Sequence, residues 1–440
     1  MTKQNYRFPH WFDGREIDEP AFCEDFRERH NLVCDGGVFF TPDGAVTDET
    51  PLRTAIFEKI VPYITKNTAH AVGSIVESLR LCSCTNDFSP DVDCIHFANS
   101  TLFLDGTYVE TKNKPVRSRF PVNYNPQAAK PERWLAFLAD LLHEDDIPTF
   151  QEFVGYCLLP TNRGQRMMLI KGSGGEGKSQ IGSVLSHLFG TNARDGSVAK
   201  ISENPFARAD LEHVHLMIDD DMKIEALRQT NYVKTIVTAQ GKLDLERKGK
   251  QSYQGWMYVR LLAFSNGDLT ALYDRSHGFY RRQLILVTKD RPRGRHDDPF
   301  LAEKMKAEAE GILLWALAGL CRLLANDYRF TESERIAENR EEVKRDTNNV
   351  LAFMESEGYV RRKEGAPVSS KELYATYRLW CDENAETAMK ARTFSGFIVQ
   401  NAEKYGLSYS NGILNSAGRR VRGFFGIERI ANVPLLYHKD

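Results

Sequence analysis

The chain lacks the features that would assign it quickly to several large classes. It has no CxxC pair, no internal repeat and no low-complexity tract. The longest apolar run, GILLWALAGL at 311–320, is too short to cross a bilayer, which takes about 18 to 20 residues. It reads as a buried helix. The first residues, MTKQNYRFPHWFDG, are polar and aromatic and have no apolar stretch of the kind a secretory leader needs. Charge of one sign is missing too: 58 basic and 60 acidic residues give a formal net charge of -2. A neutral total leaves nucleic-acid binding open, because local patches decide it. The expectation is a reduced, cytoplasmic, non-membrane protein. Its 42% hydrophobic and 11% aromatic residues supply packed cores and exclude global disorder.

The eight cysteines are scattered. Cys82, Cys84 and Cys94 faintly resemble a metal set, but their spacing is not a standard zinc pattern. Free structural thiols are the alternative.

Turn residues at 13–14, 35–37 and 43–44 predict small strands and loops in residues 1–50. Residues 51–82 read as helical, 95–125 as a hairpin turning at Asp105-Gly106, and 131–159 as two helices with Pro148 near the start of the second. From about 166 to 290, buried strands alternate with helices, the α/β pattern. Long helices are expected at 299–326 and 331–357. Residues 369–440 read as helix, helix, β-hairpin, the order of a winged-helix domain.

Four elements inside the α/β region carry chemistry. The run GSGGEGKS (172–179) fits G-x-x-x-x-G-K-[ST] in full. Gly172, Ser173, Gly174, Gly175, Glu176 and Gly177 form a loop whose glycines permit tight backbone turns toward phosphate oxygens. Lys178 supplies a point charge, Ser179 a hydroxyl for Mg2+, and the following helix its positive end. A chance glycine-rich turn is the alternative, which the flanking strand and helix disfavour.

The stretch VHLMIDDDM (214–222) ends a β-type run in Asp219, Asp220 and Asp221. One of these acids would hold Mg2+ through water and another would orient or deprotonate the attacking water. The strand YVRLLAFSNGD (258–268) ends in Asn266, which can position water or mark a simple Asn-Gly turn. SHGFYRRQLILV (276–287) sets Arg281 and Arg282 before an apolar strand, either as an arginine finger or as a surface pair. Between the second and third elements, GKLDLERKGKQSY (241–253) concentrates Lys242, Arg247, Lys248 and Lys250, with Tyr253 and Trp256 close by. That composition suits single-stranded backbone and stacked bases, and equally a solvated hairpin.

In this order the elements resemble the superfamily 3 helicases, in the branch found in poxvirus, phage, plasmid and satellite-element primase–helicases. The likeness covers roughly residues 90–290. It rests on GSGGEGKS, LMIDDDM, LERKGKQSY, LLAFSNGD and GFYRRQLIL, and more loosely on the helical stretch FQEFVGYCLLP upstream. The resemblance implies a compact AAA+-like motor, ATP and Mg2+, ring hexamers of identical subunits, and movement along one DNA strand on single-stranded and forked substrates. It implies that Lys248 grips DNA and that Arg282 sits closer than Arg281 to the finger position. The chain departs from the family in having Glu176 where asparagine is common and aspartates alone in the acidic motif. The primase often fused upstream has no room here and is expected as a separate protein.

The expected organisation is an N-terminal α+β region (1–90), a helical segment preceding the motor (91–160), an AAA+-like P-loop NTPase domain (161–330) and a winged-helix-like DNA-binding domain (345–440). In the last, a helix at 393–406 would read DNA and Arg419, Arg420 and Arg422 would contact phosphates from a wing. The functional expectation is an ATP-dependent DNA helicase of a phage, plasmid or other mobile element. An ATP-controlled initiator or loader that binds DNA without unwinding it is the second reading. A P-loop kinase would leave the basic loop and the arginines unexplained.

Overall fold

A computed structural model describes residues 8–64, 66–85, 88–110, 112–222, 230–249, 251–266, 277–291, 298–347, 349–386, 388–400, 402, 405–414, 418–434 and 437. The chain divides into two compact units, Met1–Arg340 and Glu341–Asp440.

The first unit begins with helix α1 (Glu19–His30), strands β1 (Val33–Asp35), β2 (Val38–Thr41) and β3 (Gly44–Ala45), and helices α2 (Thr50–Ile60) and α3 (Thr68–Cys82). Pro20 stands in the first turn of α1, and Asp18 caps that turn by accepting from the Ala21 N–H at 3.1 Å. The three helices enclose Trp11, Phe22, Phe26, Ile56, Ile75 and Leu79. A small antiparallel sheet follows, β4 (Cys94–His96), β5 (Thr101–Phe103) and β6 (Tyr108–Val109), with its second turn at Asp105-Gly106 as the sequence indicates. Helix in the stretch 91–160 starts only at α4 (Glu132–Leu141), followed by α5 (Ile147–Tyr156), which has Pro148 in its first turn.

The centre of the unit is a mixed α/β layer built on five parallel strands: β7 (Met167–Lys171), β8 (Ala193–Asp195), β9 (Leu216–Asp219), β12 (Arg260–Ser265) and β13 (Gln283–Val287). Their order across the sheet is β13-β7-β12-β9-β8. MMLIK, LMID and RLLAFS are near-continuous apolar runs because both faces of a parallel sheet are covered. Helix α6 (Lys178–Phe189) follows β7 and buries Ile181, Val184, Leu185, Leu188 and Phe189, a three-to-four-residue stripe that packs on the sheet. Short helices α7 (Val198–Glu203) and α8 (Pro205–Ala209) connect β8 to β9. After β9 come α9 (Asn231–Thr238) and an antiparallel hairpin, β10 (Lys242–Leu245) with β11 (Tyr253–Trp256). Helix α10 (His277–Tyr280) precedes β13.

The long helices expected after the sheet are interrupted. Instead the chain forms α11 (Leu301–Lys306), α12 (Ala309–Ala325), α13 (Glu334–Thr347) and α14 (Asn349–Met354). Helices α5 and α12 meet closely because both carry glycine at the crossing. A Cβ on Gly155 would lie 2.3 Å from the Ala316 carbonyl oxygen and 2.6 Å from the Leu320 nitrogen. Backbone cannot yield as a flexible side chain can. Gly155→Ala is therefore expected to destabilise the unit by about 2 kcal/mol, the overpacking cost exceeding the gain in helix propensity. A lowered urea midpoint reads this out; an unchanged or raised midpoint would show that the helices separate freely.

The second unit contains β14 (Val360–Ser369), α15 (Ser370–Glu383), α16 (Ala391–Gln400), β15 (Ser408–Leu414) and β16 (Arg420–Arg429), with an antiparallel sheet in the order β14-β16-β15. Ser369 and Glu372 form a reciprocal capping box on α15. Strand β14 was not legible in the sequence: VRRKEGAPVS is charged and holds a proline, the mark of an exposed edge strand. Val350, Phe353, Leu373, Tyr377, Phe394 and Phe424 are among its core residues. Among the described residues, no helix is long and apolar enough to cross a membrane.

Candidate nucleotide site and basic edge

The two ends of the parallel sheet carry different chemistry. At the carboxyl ends of β7, β9 and β12 lie the glycine loop, the acidic cluster and Asn266, the edge where open α/β sheets bind ligands. Gly174, Gly175 and Gly177 have φ of 107°, 81° and 107°. Only glycine adopts these values without strain, so the motif spacing is a backbone requirement. Gly172 is fixed differently: a Cβ there would come 2.4 Å from Thr288 Oγ1 and 2.8 Å from Lys178 Nζ.

Inside this loop an anion is already held. The buried Glu176 carboxylate accepts from the Gly174 N–H at 2.7 Å and from Lys178 Nζ at 3.0 Å. Lys178, also buried, reaches Asn266 Oδ1 at 3.2 Å, joining the ends of two adjacent strands. Burial acts to raise the Glu176 carboxyl, but the Lys178 hydrogen bond, the loop amides and the lysine charge outweigh it and hold the group below its ordinary range. A carboxylate on a lysine and a loop amide occupies ground that suits a phosphate oxygen.

The three aspartates separate. Asp219 is buried and its Oδ2 accepts from the Val198 N–H at 2.7 Å, at the start of α7. Its carboxyl is raised by burial, partly offset by that bond and reinforced by the charges of Asp221 and Asp220. Asp220 and Asp221 are exposed. Asp220 Oδ1 lies 3.6 Å from the Cβ position of Gly182, three residues beyond Ser179 on α6. Asp220 is thus the acid beside the glycine-loop helix. Ser173 and Ser179 are exposed at the loop.

Two residues at this edge went unread in the sequence. Arg291 Nη1 donates to the Gly175 carbonyl at 3.3 Å, and Thr288 follows β13 with its N–H on the Lys171 carbonyl at 2.8 Å. The run RPRGR at 291–295 was the signal available for the arginine.

The amino edge of the same sheet holds the arginines and the basic hairpin. Arg282 sits just before β13; its carbonyl accepts from the Met167 N–H at 2.9 Å, at the start of β7. Five residues of β7 separate that point from the glycine loop, about 16 Å of strand. The structure therefore does not bring Arg281 or Arg282 to the glycine loop of the same chain. Arg282 is half-buried and donates to the Gly278 carbonyl, whereas Arg281 is exposed.

The hairpin β10–β11 precedes β12 and rises from this same edge. Its turn end is anchored. Arg247 Nη2 donates to Glu212 Oε2 at 2.9 Å, and the Tyr253 hydroxyl donates to the same oxygen at 2.6 Å. Burial raises the Glu212 carboxyl, against the opposing pull of Tyr253 and Arg247. The Trp256 ring has Lys242 Nζ at 5.5 Å and the Arg117 guanidinium at 5.7 Å. Lys248 is exposed at the turn, next to Gly249 at φ 75°. Lys250 lies outside the described residues. Of the predicted cations, Arg247 is thus engaged in holding the hairpin, while Lys242 and Lys248 face solvent.

In the second unit Arg419, Arg420 and Arg422 are exposed at the start of β16. Arg420 and Arg422, two apart on a strand, share one face. The helix expected at 393–406 is α16, which starts two residues earlier and ends at Gln400.

A family model described as a family of unknown function (DUF5906) matches residues 170–282, from the last residues of β7 to the start of β13. Curated proteins give no match. Among solved structures, the chain is similar to the apo NrS-1 C-terminal region (305–718), with a TM-score of 0.52 at 12% identity, covering 93% of this chain and 100% of that one. An A-form apo structure of the same region gives a TM-score of 0.51 at 11% identity, covering 90% and 96%. At these identities the likeness is one of fold, and it extends over both units.

Proposed function

We propose that this chain is an ATP-driven DNA motor, a P-loop NTPase of the superfamily 3 helicase kind. It would work as a hexameric ring in the replication of a phage, plasmid or other mobile element. The observation that carries the reading is the anion already held in the glycine loop, with Lys178 joining Glu176 to Asn266 at the carboxyl edge of the sheet.

The residues present fit a nucleotide. Positive-φ glycines and the α6 N-terminus form a cradle for phosphates, and Lys178 lies within it. Bound ATP supplies a phosphoanhydride bond and Mg2+ the charge to neutralise its oxygens. Ser179 and Asp220 would hold the metal, with Asp219 behind them. Asp221 or Asp220 would take the proton of the attacking water, and Asn266 would orient that water. Glu176 must leave the loop before phosphate enters. Glu176→Gln is therefore expected to tighten ATP binding about tenfold, the worth of one charge-assisted hydrogen bond. Weaker binding by titration would instead make Glu176 part of the ATP-binding set.

The amino edge supports the DNA half of the proposal. Lys242 and Lys248 project from an anchored hairpin, the form a backbone grip takes. In the second unit, three strands around α15 and α16 support a winged-helix-like arrangement, with Arg419, Arg420 and Arg422 as phosphate contacts. Lys248→Ala is expected to lower DNA-stimulated ATPase while sparing basal hydrolysis, and to reduce the salt slope of single-stranded DNA binding by about one. Equal loss of basal and stimulated activity would assign Lys248 a structural role.

A further inference from the structure

The metal-like set noticed in the sequence is not the one the fold assembles. Cys82 and Cys84 are exposed at the end of α3. Cys94 instead meets Asp91 and His96, with one ligand atom from each of the three within 4.8 Å of the others. His96 Nε2 lies 2.9 Å from Asp91 Oδ2 and 3.7 Å from Cys94 Sγ. Tetrahedral zinc with ordinary bond lengths sets the corresponding N···O and N···S edges at about 3.3 Å and 3.6 Å. Two of the three edges are therefore close to those an ion requires, and the third lies within 4.8 Å.

The surroundings agree. His96 Nδ1 is 2.8 Å from Thr101 Oγ1. With Nδ1 donating to that hydroxyl, Nε2 presents its lone pair to the shared centre, as outer partners of metal-bound histidines commonly arrange. Strand pairing holds both residues, since His96 sits opposite Thr101 in the β4–β5 ladder. The cluster opens on a small cavity also lined by Arg117, Ser118, Leu158 and Pro160. A thiolate, a carboxylate and a neutral imidazole balance a divalent ion, so the nearby Arg117 charge, paired with Asp35 and lying over the Phe40 ring, does not oppose it.

We infer that Asp91, Cys94 and His96 bind one Zn2+ ion, with the fourth position open to the cavity. The ion clamps the chain entering β4, where the Phe88 carbonyl accepts from Arg117, against the β4–β5 hairpin. Binding transfers the Cys94 thiol proton to solvent as the Zn–S bond forms, so affinity rises with pH.

The test uses the full chain and two probes, Zn2+ alone and Co2+ alone. One equivalent of zinc is expected, released to a chromogenic chelator, together with a thiolate-to-cobalt charge-transfer band that vanishes in Cys94→Ser. Thr101→Val, which keeps all three ligands, should weaken zinc binding about 10- to 100-fold. Cys84→Ser should change nothing. If Cys94→Ser does not fold, Thr101→Val and Asp91→Asn decide by the same titration. Zinc no tighter in wild type than in Asp91→Asn, or a cobalt spectrum without a thiolate band, would leave Asp91 and His96 as an ordinary hydrogen-bonded pair and overturn the site.

Discussion

Lys178→Ala is expected to cut ATP turnover about 100- to 1000-fold, the loss seen when one preorganised donor to transition-state charge is removed. The lysine ammonium is buried and already faces two oxygens, on Glu176 and Asn266, so its position is set before any phosphate arrives. Alanine removes the charge and the link between the ends of β7 and β12. It leaves the Gly174 N–H on Glu176 and the α6 packing stripe intact. Steady-state ATPase reads the loss, and an unaltered far-UV circular dichroism spectrum shows that the fold is kept. Full ATPase in the variant would mean that the loop does not hold the reacting phosphates.

The second large effect concerns the arginines before β13. A finger contributes about 10³- to 10⁵-fold to turnover in motors that use one. Here Arg281 and Arg282 lie at the amino edge of the sheet, a strand length from their own glycine loop. If either acts on ATP, it must act on a neighbouring subunit. The resemblance assigns this to Arg282, yet Arg282 already donates to the Gly278 carbonyl, and Arg281 is the exposed one. Alanine at the true finger should abolish turnover alone. Activity should return in part when that variant is mixed with Lys178→Ala protein, since mixed interfaces then pair an intact loop with an intact arginine. The variant that shows this rescue identifies the finger. Absence of rescue for both at every mixing ratio would refute action in trans.

The elements of the α/β core were legible because their signals are local. MMLIK before GSGGEGKS, LMID before the aspartates and RLLAFS before Asn266 each announce a buried strand and its tip. Which tips meet was not legible, because strand order is set by long-range pairing. The insertion of β12 between β7 and β9 brings Asn266 to Lys178 and puts β9 one strand further away. The same holds for Glu212, whose role in anchoring Arg247 and Tyr253 depends on a contact more than thirty residues distant in the chain. Cys94 was noticed for the wrong neighbours, although Asp91 and His96 lie within three residues of it and Cys94 and His96 share one face of β4. Strand β14 escaped for the opposite reason, its charged edge sequence carrying no periodic signal.

In the proposed motor, ATP turnover at the carboxyl edge drives DNA at the amino edge. Strand displacement on a forked duplex, with purified protein, ATP and Mg2+, measures this coupling. The expected result is displacement that requires hydrolysable ATP and is lost in both Lys178→Ala and Lys248→Ala. ATP hydrolysis stimulated by single-stranded DNA with no strand displaced at any protein concentration would contradict it, and would favour a loader that binds DNA without unwinding it.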